Sequence, residues 1–238
     1  MRPIRFSTED GVSLEGELRG PDGPARGSAV LCHPHPRLGG SKDHPLLWAI
    51  RNELAGRGLA VLSFNFRGTM RSAGAYGGGR AEVRDVAAAV GRAREETGGP
   101  TLVAGWSFGA AVALHQAIDD DRVGGLALIG LPLGPGLDVP APPGASELRA
   151  LRRPVLLVAG EADGHCPAAE LERLADLLPR ATVRIVPGTD HHFWRREREL
   201  AGLVGTFAEE MIGSGAPEPP PHVEGQAHDR RPDHHGGQ

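Results

Sequence analysis

The sequence predicts an α/β fold, a mostly parallel eight-stranded sheet with helices on both faces. Three observations carry this reading. Short apolar runs alternate with stretches of helical periodicity along the chain, as in a sheet wound with crossover helices. From the third run onward the strands are rich in Val, Leu and Ala, as parallel strands buried on both faces are. The first two runs are joined by Glu9-Asp10-Gly11 and read as an antiparallel hairpin.

Taken in order, the hairpin strands fall at 4–7 and 12–18, and the remaining strands at 28–33, 59–66, 101–105, 125–130, 154–160 and 182–187. Helices lie between them. Val83, Val86, Ala87 and Val90 share one helical face, and Leu171, Leu174, Leu177 and Leu178 share another. A last helix carries Leu200, Leu203, Val204, Phe207 and Met211 at helical spacing, with Phe193 and Trp194 expected to anchor it. Pro45 and Pro167 suit the first turns of helices, where a missing N–H is no loss. The stretch 131–153 carries Pro132, Pro135, Pro140, Pro142 and Pro143 and has room for one short helix, at 146–151. Residues 1–212 thus read as one domain. From 213 to 238 the composition turns to Pro, Gly, Asp and His with almost no large apolar residue, so a disordered Pro/Gly/His-rich tail is expected there.

Bulk properties narrow the function classes. The 238 residues carry a formal net charge of only −4, with no basic run, so nucleic acid is not an expected partner. No apolar run approaches the roughly 18 residues of a membrane helix, so no membrane partner is expected. The opening residues Met1-Arg2-Pro3-Ile4-Arg5 lack the apolar core of a signal peptide, which makes the cytoplasm the expected location. Two cysteines, Cys32 and Cys166, are too few for a disulfide framework. Oligomeric state leaves no mark on the sequence.

One segment points to chemistry. Gly105-Trp106-Ser107-Phe108-Gly109 follows the run Thr101-Leu102-Val103-Ala104 and precedes the small-residue helix that starts at Ala110. Strand, tight turn and helix make the setting of a nucleophile elbow. Such a turn needs near-absent side chains two residues to either side of the serine, hence the glycines. The serine oxygen is then held at the top of the sheet, at a helix N-terminus that favours developing negative charge.

A serine hydroxyl is a poor nucleophile until a base removes its proton, and that base needs an orienting acid. Asp163 stands just past the strand that ends in Gly160, and His191 just past the last strand. Functional groups collect beyond the carboxyl ends of strands in open α/β sheets. His192, next in the chain, remains a second candidate base.

The motifs together resemble the α/β-hydrolase superfamily over about residues 1–212. Within it, the chain resembles small bacterial hydrolases with a H-P-H-P-x-x-G-G loop, here His33-Pro34-His35-Pro36-Arg37-Leu38-Gly39-Gly40. The same group shows a N-F-R-G segment, here Asn65-Phe66-Arg67-Gly68 with Ser72 and Gly74 after it. It also shows the elbow, a G-E-x-D turn (Gly160-Glu161-Ala162-Asp163) and a P-G-x-D-H-x-F end (Pro187 to Phe193). The chain is similar as well to dienelactone hydrolases, which use a cysteine where Ser107 stands here.

The resemblance implies that Ser107, Asp163 and His191 form a catalytic triad in the chain order Ser, Asp, His. It also implies an oxyanion hole with one N–H from Phe108 and one from the loop after the third strand. Pro34 and Pro36 have no N–H, which leaves His35 as the best loop donor and Arg37 as the second. The loop's imidazoles are expected to stiffen it by stacking. Cys32 with these histidines lacks the ligand spacing of a zinc site, so no metal and no cofactor are expected. Arg67 is expected to bond loop carbonyls. The short stretch 131–153 leaves no space for the lid domain of larger relatives, so the pocket should be shallow and open, favouring short esters. The expected function is a serine hydrolase that cleaves a carboxylic ester through an acyl-enzyme, with a thioester or amide as the less favoured substrate. The alternative is a non-catalytic binding or scaffold protein of the same fold.

Overall fold

A computed structural model describes residues 1–134 and 138–214. The hairpin is formed by β1 (Arg2–Ser7) and β2 (Ser13–Arg19), with Gly11 at φ +78° in its turn. The chain continues through β3 (Gly27–Cys32), α1 (Pro45–Gly56), β4 (Leu59–Phe64), α2 (Glu82–Arg94), β5 (Thr101–Trp106) and α3 (Phe108–Ile118). It ends with β6 (Val123–Ile129), α4 (Ala145–Ala150), β7 (Val155–Gly160), α5 (Ala168–Ala175), β8 (Ala181–Val186) and α6 (Glu197–Ser214).

All eight strands form one sheet in the order β1-β2-β4-β3-β5-β6-β7-β8. The β1–β2 and β2–β4 pairs are antiparallel, and every other pair is parallel. The sheet separates two apolar cores. On one face α1 contributes Leu46, Ile50 and Leu54, and α6 contributes Leu200, Val204 and Phe207. On the other, Val86 and Val90 of α2, Val112 and Leu114 of α3, and Leu171 and Leu174 of α5 belong to one core. Strands β3 to β7 are therefore covered on both sides, which is why almost all their residues are buried. Among the described residues no helix is long and apolar enough to cross a membrane. Both cysteines are buried and unbonded.

Four details differ from the sequence expectation. β8 is an edge strand, so it alternates: Val183 and Ile185 pack on the core while Thr182 and Arg184 are exposed. Pro45 opens α1 as expected, but Pro167 stands one residue earlier, as the N-cap of α5. Phe193 is fully buried against α6, whereas Trp194 is 63% exposed and anchors nothing in the core. Helix α6 runs to Ser214, beyond the expected domain end at 212. The rest of the expected tail, 215–238, and residues 135–137 of the proline-rich stretch lie outside the described residues.

Candidate active site

Ser107 sits between β5 and α3 at φ +55° and ψ −119°, a conformation that L-residues with a side chain rarely adopt. The packing around the turn explains how it is held. A Cβ on Gly105 would meet the Gly109 carbonyl oxygen at 2.4 Å, and one on Gly109 would meet the Cys32 carbonyl oxygen at 2.3 Å. Neither position has room for any side chain. The Ser107 N–H donates to the Ile129 carbonyl on β6 at 2.8 Å, and the Ser107 carbonyl accepts from Ala110 and Ala111, starting α3.

The loops after β7 and β8 meet at this serine. His191 Nε2 lies 2.9 Å from Ser107 Oγ, and His191 Nδ1 lies 2.9 Å and 3.0 Å from the two Asp163 carboxylate oxygens. The carboxylate also accepts the His165 and Cys166 backbone N–H groups at 2.9 Å and 3.0 Å. Burial alone would raise the Asp163 pKa. The hydrogen bonds from His191 and the two amides outweigh it and hold the carboxyl below its usual range. An acceptor-only carboxylate fixes the His191 tautomer: Nδ1 carries the proton, and Nε2 accepts from the serine hydroxyl. His191 is further held through its carbonyl, which accepts the Trp106 indole N–H at 3.2 Å. His192 is exposed; its N–H donates to Asp190 and its ring stacks on Trp194. The structure thus places His191, and not His192, between Ser107 and Asp163.

The loop after β3 is held by its imidazoles. His33 is fully buried; its Nε2 accepts the Phe66 N–H at 3.0 Å and its Nδ1 donates to the Pro34 carbonyl at 2.7 Å. The His35 ring packs between Tyr76 and Phe108, at centroid distances of 5.3 Å and 5.1 Å. Its Nδ1 accepts the Arg37 N–H at 3.2 Å, which commits the second candidate oxyanion donor. Its Nε2 donates to the Asp138 carbonyl.

Residues 28–210 match the alpha/beta hydrolase domain family. The chain belongs to that family. An uncharacterized protein of Mycobacterium tuberculosis is 30% identical over 220 residues, covering 80% of this chain and 72% of that protein. Among solved structures, a protein of unknown function from Agrobacterium tumefaciens is 26% identical, with a TM-score of 0.77 over 91% of this chain and 100% of that one. An alpha/beta serine hydrolase without lid from Xanthomonas campestris is 25% identical, with a TM-score of 0.73 over 92% and 96% of the two chains.

In this alpha/beta hydrolase domain the N-F-R-G segment is scaffolding. Among the described residues Arg67 bonds no loop carbonyl; its guanidinium is forked onto Asp85 and Asp10, both carboxylates. Planar bidentate geometry makes a carboxylate the stronger partner, which the sequence expectation overlooked. Ser72 Oγ donates to the Asn65 carbonyl at 2.6 Å, and Asn65 in turn holds the Lys42 N–H and the Glu15 carboxylate.

The Ser107 side opens into a cavity of about 180 Å³ whose wall includes Leu38, His44, Trp106, His165 and His192. A larger groove, about 690 Å³ between the hairpin and the Lys42 loop, shares no residue with it, and Lys42 there is paired with Glu17 and Asp43. Among the described residues no group of three or more His, Cys, Asp and Glu side chains is arranged to hold a metal ion. Sequence reasoning missed Gly130, His44 and His165, all of which touch this site only because separate loops converge on it.

Proposed function

We propose that this alpha/beta hydrolase is a serine hydrolase that cleaves a carboxylic ester through an acyl-enzyme. One observation carries the reading: the unbroken hydrogen-bond chain from Ser107 Oγ through His191 to the buried Asp163 carboxylate. His191 takes the serine proton as Oγ attacks the ester carbonyl, and Asp163 stabilises the imidazolium that forms. The tetrahedral oxyanion is held by the N–H groups of Phe108, at the start of α3, and of His35. Arg37, whose N–H is engaged by His35 Nδ1, is set aside. Collapse breaks the bond to the alkoxy oxygen, which leaves with the proton from His191. Water then attacks the acyl-enzyme, gives its proton to His191, and the carboxylic acid and free serine are restored. Every step uses protein groups and water alone. A thioester or amide follows the same path with a different leaving atom.

The likeness to the lidless serine hydrolase of Xanthomonas campestris supports the nucleophile. A non-catalytic scaffold is the weaker reading, since binding alone requires neither a strained serine nor an oriented imidazole. A fluorophosphonate probe separates the two. It should label the wild-type protein at Ser107 and leave Ser107→Ala unlabelled; an unlabelled wild-type protein would sink the serine-hydrolase reading.

A further inference from the structure

The cavity beside Ser107 is lined by four imidazoles that the triad does not use, His35, His44, His165 and His192; His35 is tied to the Arg37 N–H and the Asp138 carbonyl, and His192 is exposed. His44 is the N-cap of α1, and its Nδ1 accepts the Leu46 N–H at 3.2 Å. In the neutral ring the proton therefore sits on Nε2, at the end turned away from the helix. Its ring lies against Trp106, at a centroid distance of 4.5 Å. Burial and the nearby His192 hold His44 below the usual imidazole range, which favours this neutral form. His165 stands edge-on to His191, 4.9 Å away at 74°. Its Nδ1 is buried and has no hydrogen-bond partner among the described residues. A buried lone pair without a partner is tolerated better than a buried N–H without one. The His165 proton is therefore on Nε2 as well, in a half-buried ring that lines the cavity.

We propose that His44 and His165 form a second pair of hydrogen-bond donors in the cavity, selecting short esters with an oxygen acceptor within a few atoms of the scissile carbonyl. The inference rests on the serine-hydrolase reading above. The cavity volume of about 180 Å³ limits the group to small size, since a cavity of about 150 Å³ takes a benzene ring. A purely aliphatic chain of the same shape would strip water from both N–H groups and replace it with nothing. A site built to hydrogen-bond a substrate rejects the analogue that lacks the polar atom.

Isosteric ester pairs test this. Methoxyacetate against butyrate esters of 4-nitrophenol place the oxygen on the acyl side, and 2-methoxyethyl against butyl acetate place it on the alcohol side. The quantity read is the ratio of kcat/KM between the oxygen and carbon members, in which intrinsic reactivity and any general loss in a variant cancel. His165→Phe keeps the ring edge on His191, and His44→Asn keeps an N-cap acceptor. In at least one arm the ratio should fall roughly tenfold in each variant, the size of one lost hydrogen bond. Unchanged ratios in both arms would overturn the donor pair. If the wild-type protein cleaves none of the esters, the serine-hydrolase reading falls, and ¹⁵N-histidine spectra decide the donor pair separately. Added methoxyacetate should move the Nε2 signals of His44 and His165; static signals, or a proton on Nδ1 in either ring, would overturn it.

Discussion

Gly130, just past the end of β6, lies directly against the His191 imidazole: a Cβ at this position would meet Cε1 at 3.1 Å and Nδ1 at 3.2 Å. Its φ of +55° adds a second restriction. Gly130→Ala should therefore push the ring by a few tenths of an ångström and strain the backbone by about 1 kcal/mol. Displacement of the base at the serine costs up to roughly 100-fold in rate. The loss should appear in kcat with KM little changed, and Tm should fall by a few degrees. Full activity in a folded Gly130→Ala protein would mean that the ring is not set by this contact.

Ser107 holds a conformation that glycine adopts freely. Two substitutions separate its chemistry from its strain. Both Ser107→Ala and Ser107→Gly should lose at least about 10⁴-fold in activity. Only the glycine variant relieves the backbone, so it should be more stable than the alanine variant by about 1 kcal/mol. Urea unfolding of the pair checks this, and equal midpoints would show that the turn is not strained.

The parts of this site that could be read in the sequence are local ones. The elbow is a contiguous strand, turn and helix, and Asp163 and His191 are marked by the strands they follow. The sheet was legible because crossover strands must be apolar throughout. Residues whose role depends on tertiary neighbours were not. Gly130 faces His191 because β6 lies between β5 and β7, and no local pattern encodes that adjacency. His44 joins the site only once α1 is packed beside Trp106. For β8 the signal was present and passed over: Thr182 and Arg184 alternate with Val183 and Ile185, the pattern of an edge strand with one face to solvent.

The two adjacent histidines should separate cleanly in kinetics. His191→Ala should cost about as much as losing the serine, because members of such a unit are not additive. His192→Ala should cost roughly tenfold at most, since its ring meets His191 only edge-on at 6.0 Å and bonds neither Ser107 nor Asp163. Measuring kcat/KM of both variants on one activated ester tests the assignment, and a dead His192→Ala beside an active His191→Ala would reverse it.

Acyl-chain length is limited by the same walls. A cavity of about 180 Å³ leaves room for a few carbons beside Ser107, and longer chains must lie across exposed Leu38. Burial of each further CH₂ is worth up to about 0.8 kcal/mol only while the chain stays enclosed. kcat/KM on 4-nitrophenyl esters should peak at about four carbons or fewer, an estimate from that volume. A peak at octanoate or beyond would show that the cavity opens further in solution.

His33 makes stability depend on pH. Burial lowers its pKa from 6.5 to about 4, although its bond to the Pro34 carbonyl acts the other way. Protonation would also break the bond in which Nε2 accepts the Phe66 N–H. As pH falls, the unfolded chain takes up this proton before the folded protein does. The stability due to a neutral buried His33 is therefore fully present above about pH 6.5, shrinks between there and about pH 4, and is absent below. The shift corresponds to about 3 kcal/mol, at about 1.4 kcal/mol per unit. The urea midpoint should fall across this window while the His33 ring signal in native-state NMR stays at its neutral position down to about pH 5. A His33 signal that titrates near pH 6.5 in the native protein would show that the ring is hydrated in the folded state.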